Sequence, residues 1–129
     1  MKFGYTIIYV PDVLAALTFY EAAFGFVRRF VHPSQDYGEL ATGETVLAFA
    51  SEGLRALNGL ELRDNRMTER APGVEIVFVT DAVEQAMTRA LDAGAAPVHA
   101  ITEKPWGQRV GYVRDLNGVL IELCTPVGG

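Results

Sequence analysis

The chain has 129 residues, half of them hydrophobic and 21% charged, which suits one folded domain with a proper core and not a disordered chain. Its 16 acidic and 11 basic residues leave a formal charge of -5 with no basic run, which argues against nucleic acid as a partner. One cysteine, Cys124, and two separated histidines, His32 and His99, exclude an internal disulfide and a Cys/His zinc framework.

The chain opens on "MKFGYTIIYV", a short alternating stretch followed by Pro11. It reads as a first strand and not as a leader or a membrane span, so the expected setting is cytoplasmic, with no membrane partner. Asp12 then begins an amphipathic stretch that closes at Gly25, with Val13, Leu17, Tyr20 and Phe24 at helical spacing. Asp is a good N-cap because its carboxylate accepts orphan backbone N–H groups, and Gly tolerates the left-handed position after a helix. Three strand-like runs follow, "FVRRFVH", "YGELAT" and "TVLAFAS", the last two joined by a turn at Gly43-Glu44.

Residues 52–72 are polar and weakly periodic, and read as a linker with room for a short helix. The first pattern then returns. "EIVFVTDAVEQAMTRALDAGAAP" carries a strand, an expected N-cap at Asp81, a helix with Val83, Met87 and Leu91 inward, and a stop at Gly94. Asp81 and Gly94 are thirteen positions apart, like Asp12 and Gly25, and Glu84 is placed to complete a capping box with Asp81. The closing runs are "APVHAIT", "QRVGYVR" and "VLIELCT", the last two joined by "DLNG". The chain therefore reads as a single domain, 1–129, of two βαβββ modules, 3–51 and 73–126.

Strand alternation sorts the side chains by face. Val119, Ile121 and Leu123 belong on the helix side of the last strand, which leaves Leu120, Glu122 and Cys124 opposite. By the same rule Glu75, Val77 and Val79 share one face, as do Tyr5, Ile7 and Tyr9. A tight turn at "TGET" pairs Ala41 with Val46 and Glu39 with Ala48; one at "DLNG" pairs Gly111 with Glu122 and Arg109 with Cys124. Glu39, Glu75, Glu122, Tyr5, Tyr9, Tyr37 and Arg109 are then expected to line one concavity. Crowded carboxylates repel, so at least one of the three should titrate high unless Arg109, a metal or a bound cation compensates.

The paired βαβββ pattern, with "YTIIYVPDV…FYEAAFGF" early and "KPWGQRVGYVRDLNGVLIEL" late, resembles the vicinal oxygen chelate superfamily of glyoxalases, bleomycin-resistance proteins and extradiol dioxygenases. The resemblance spans about residues 3–126 and implies an α+β fold, two βαβββ modules forming a cupped mixed sheet with helices outside. For the metalloenzymes of that superfamily it implies ligands at Tyr5, Ala48, Glu75 and Glu122. Ala48 has no donor, so that set is incomplete unless Glu39, its cross-strand neighbour, substitutes; an all-oxygen site of this kind favours Mg, Mn or Ca over Zn or Ni. The lead expectation is a cofactor-free binder of the bleomycin-resistance type, holding an aromatic, neutral or cationic small molecule with Tyr5, Tyr9, Tyr37, Glu39, Trp106 and Arg109. The alternative is a metal-dependent lyase, isomerase or dioxygenase with Glu75 and Glu122 at the metal and Glu122 as the proton shuttle. A third reading is a non-catalytic interaction module. The resemblance also implies a homodimer.

Overall fold

The alternating runs become strands and the punctuated runs become helices in the computed structural model, which describes residues 1–128. The order is β1 (Thr6–Val10), α1 (Val13–Phe24), β2 (Val27–Val31), β3 (Tyr37–Ala41), β4 (Val46–Ser51), α2 (Glu52–Leu57), β5 (Glu75–Val79), α3 (Val83–Asp92), β6 (Ala96–Glu103), β7 (Arg109–Arg114) and β8 (Leu120–Cys124). Two compact units result: Met1–Glu21 with Gly25–Asp64, and Ala22–Phe24 with the chain from Asn65 onward. The strand orders are β1-β4-β3-β2 and β5-β8-β7-β6. In both sheets the first pair named is parallel and the other two are antiparallel, so each is a four-stranded mixed sheet of a βαβββ module.

In the first unit Asp12 caps α1 by accepting the Ala15 N–H at 3.0 Å, and Gly25 ends it with φ 77°. Val13, Leu17 and Tyr20 are all buried beneath it, and the Tyr20 ring meets Phe49 of β4 edge-on at 4.9 Å between centroids. Burying a side chain such as Leu17 stabilises by about 1.5–3 kcal/mol. The helix sits close because β3 carries Gly38 beneath it, where a Cβ would stand 2.7 Å from Leu17 Cδ1. The second unit repeats the device. A Cβ on Gly111 of β7 would meet Met87 Cε of α3 at 2.5 Å and Ile101 Cγ1 at 2.8 Å.

Two details of α3 differ from expectation. Its N-cap is Ala82, with no side-chain cap; Asp81 lies one residue too early, and Thr80 Oγ1 accepts the Ala82 N–H instead. Glu84 therefore forms no capping box and turns to Arg109. Leu91 stays 38% exposed, and Ala90 takes its place in the buried set with Val83. The polar segment after β4 holds α2, capped by Ser51 Oγ accepting the Leu54 N–H. Among the described residues no helix is long and apolar enough to cross a membrane.

Candidate functional site

The β3–β4 hairpin pairs Glu39 with Ala48 and Ala41 with Val46, the expected register. Glu39 is half-buried on the face away from α1, and it is not an isolated carboxylate. Tyr37 Oη donates to its Oε2 at 2.7 Å, and Arg29 Nε lies 3.3 Å from its Oε1. A bulge in β2 between Arg28 and Phe30 sets Arg29 and Phe30 together opposite Glu39. The Tyr37 hydroxyl is pushed well above the ordinary tyrosine range, first by burial and then by Glu39. Tyr9 is half-buried in β1, whereas Tyr5 stands ahead of β1 and is 53% exposed.

The β7–β8 hairpin is shifted by one residue from the expected register. Tyr112, not Gly111, pairs with Glu122, and Val110, not Arg109, pairs with Cys124. The cause is the turn. Asp115 is buried, its N–H donates to the Val119 carbonyl, and its carboxylate accepts the Asn117 and Val119 N–H groups at 2.9 Å. The loop is therefore the three residues Leu116, Asn117 and Gly118, with Gly118 at φ 90° as three-residue hairpins favour. One extra loop residue reverses every side chain of β7. Arg109 consequently leaves the expected cavity face and binds Glu84 of α3, with Nε 2.7 Å from Oε1. Gln108, Val110, Tyr112 and Arg114 take the face that carries Glu122.

This face of the second sheet holds the stronger constellation. Tyr112 Oη donates to Glu122 Oε1 at 3.1 Å, and the His99 ring meets Tyr112 edge-on at 6.2 Å. Glu75 lies diagonal to Glu122 on the parallel neighbour β5. The Glu75 carboxyl is raised above its ordinary value by desolvation, then by Glu122. Burial first and Glu122 second push Tyr112 to about 12 and the Cys124 thiol to about 11. Arg109 is held by Glu84, Arg89 Nε donates to the Ala22 carbonyl, and Arg114 bonds the carbonyls of Arg66, Met67, Glu69 and Gly118. Among the described residues, neither Glu75 nor Glu122 forms an ion pair with a cation. Beside them on β5, Val77 and Val79 are 44% and 60% exposed, so the carboxylates sit in apolar surroundings open to a ligand.

Residues 2–123 match the family described as the Glyoxalase/Bleomycin resistance protein/Dioxygenase superfamily, and the chain belongs to it. Its fold is shared with a glyoxalase-related enzyme from Fulvimarina pelagi: TM-score 0.79, 22% identity, 97% of this chain and 88% of that one. It is likewise similar to a glyoxalase/bleomycin resistance protein/dioxygenase family enzyme from Burkholderia phytofirmans PsJN: TM-score 0.77, 21% identity, 95% and 96% of the two chains. TioX from Micromonospora sp. ML1 aligns with TM-score 0.73 at 23% identity, over 97% of this chain and 98% of that one. No curated protein matches the chain by sequence.

The metal that the enzymes of this superfamily use can be tested against the donors present. Ala48 is fully buried and ends in a methyl group, Tyr5 is an exposed phenol, and Glu39 is already held by Tyr37 and Arg29. That leaves Glu75 and Glu122, and among the described residues no three His, Cys, Asp or Glu side chains gather to hold an ion. Two carboxylates are fewer than the protein ligands of a closed zinc or calcium site, so the donor set does not fit such a site.

Sequence reasoning missed Tyr112, Gln108 and Arg29. The first two were hidden by the one-residue loop ambiguity of "DLNG", which the bonds of Asp115 to Asn117 and Val119 resolve. The bulge that brings in Arg29 has no such signal.

Proposed function

We propose that this protein binds an aromatic cation, as a non-enzymatic member of its superfamily. The observation that carries this reading is the Glu75–Glu122 pair, diagonal neighbours on adjacent parallel strands, flanked by Tyr112 and the open Val77 and Val79 surface, with no ion-pair partner among the described residues. A carboxylate pair in such surroundings disfavours its own full ionisation, and a ligand cation relieves the repulsion. Aromatic and β-branched side chains beside it favour a flat apolar body on that cation. Within the first unit, Glu39 already has partners in Tyr37 and Arg29. Arg109 has no part in this reading. The proposal includes a second copy of the chain, since cavities of this superfamily are commonly completed between subunits; light scattering tests that, and a monomer near 14.0 kDa would remove it.

The test compares ligand with metal. Protein purified without chelator is analysed for metals, then melted with 1-naphthylmethylammonium, Mg²⁺ or Mn²⁺. The binder reading expects stabilisation by the organic cation. Stoichiometric metal in the purified protein, with stabilisation by Mg²⁺ or Mn²⁺ alone, would replace it with a metal-dependent lyase or dioxygenase in which Glu122 moves a proton.

A further inference from the structure

Trp106 is the only tryptophan in the chain and lies in the turn before β7, 61% exposed. The turn is closed by the Gly107 N–H on the Lys104 carbonyl at 2.8 Å and the Lys104 N–H on the Gln108 carbonyl at 2.7 Å, with Gly107 at φ 92°. An exposed indole at a turn would ordinarily turn freely and give its N–H to water. Here Nε1 donates to Gln108 Oε1 at 2.8 Å. Gln108 is itself buried, and its Nε2 donates to the Thr125 carbonyl at 2.8 Å. Thr125 is fixed in turn, because its Oγ1 accepts the Arg109 N–H and its own N–H donates to the Arg109 carbonyl, both at 3.0 Å. Thr125 follows directly on Cys124 at the end of β8, so this tie lies at the end of the β7–β8 face that carries Tyr112 and Glu122. A continuous set of hydrogen bonds therefore runs from the solvent-facing indole through Gln108 to the backbone at the end of β8.

We propose that Gln108 is a positioning residue for ligand binding: it fixes the Trp106 ring as a rigid wall at the end of the β7–β8 face that carries Glu122. The inference rests on the aromatic-cation reading above and deepens it. A flat cation would stack on an indole that is already ordered, so little side-chain freedom is lost on binding. The indole N–H is the ring's only polar atom, and its use by Gln108 leaves both faces for apolar contact.

Two measurements without ligand test the positioning directly. Hydrogen exchange at the Trp106 indole N–H should be slow for so exposed a ring, and time-resolved anisotropy should show little local motion. In Gln108→Met, which keeps the side-chain length and removes the amide, fast local motion should appear. Exchange as rapid as in free tryptophan overturns the inference without any variant, as does anisotropy unchanged in Gln108→Met. With 1-naphthylmethylammonium as the probe, Gln108→Met and Trp106→Phe should each weaken affinity about threefold to tenfold, and the double variant no more than either. Fully additive losses overturn the inference. If the parent protein binds no probe, the proposed function fails, while the anisotropy and exchange still decide the role of Gln108.

Discussion

Replacing Glu75 by Gln tests the carboxylate pair at its more exposed member. The folded-state pKa of Glu75 is raised, so the native state binds this proton more tightly than the unfolded chain does. Stability is therefore greatest below the unfolded carboxyl value, about 4.3, and falls as pH rises through the folded one. Two unit charges about 4 Å apart repel by about 1 kcal/mol in water and about 4 kcal/mol at a partly buried site. Glu75 is exposed and screened by solvent, which puts the penalty near the lower figure, about 1 kcal/mol at neutral pH. Glu75→Gln removes it, keeps a donor for Glu122, and should raise the melting temperature by about 4 °C at neutral pH while changing it little near pH 4. The groups facing the pair are Tyr112 and Cys124, both pushed to higher pKa and neutral throughout this range. A series of thermal melts across the acidic to neutral range compares the two proteins. Parallel pH profiles, or a variant less stable at neutral pH, would refute the repulsion between the two carboxylates.

Tyr112→Phe removes a part-buried hydrogen bond to Glu122 and should cost about 1.5 kcal/mol in urea denaturation; a neutral or stabilising result would contradict the contact. Gly111→Ala drives a methyl group into Met87 and Ile101, and should destabilise by about 1–3 kcal/mol by the same measurement unless α3 moves away from the sheet. Arg109→Ala breaks a surface pair with Glu84, and the affinity for 1-naphthylmethylammonium should stay within about twofold; a tenfold loss would return Arg109 to the site.

The two βαβββ modules were legible because strand alternation and helix punctuation act locally. Asp12 and Gly25 do at the ends of α1 what their chemistry favours, and Ile8 and Val10 are buried while Ile7 is exposed. The β3–β4 register was legible too, because the turn after Thr42 leaves one pairing that buries both Leu40 and Leu47. The β7–β8 register was not. "DLNG" fits a loop of two residues or of three, and only the buried Asp115, bonded to Asn117 and Val119, decides between them. That single residue moved Arg109 to the helix side and brought in Tyr112. Asp81 failed as a cap for a related reason: a cap one residue from the helix start caps nothing.

On the aromatic-cation reading, the Glu75–Glu122 face selects a positive charge on an aromatic body. Isothermal titration of 1-naphthylmethylammonium and of its uncharged counterpart 1-naphthylmethanol tests this most directly, because the two differ chiefly in the charged group. The ammonium should bind at least about tenfold more tightly, and Glu122→Gln should close most of the gap. Equal affinities in the parent protein, or a preference for the alcohol, would contradict it.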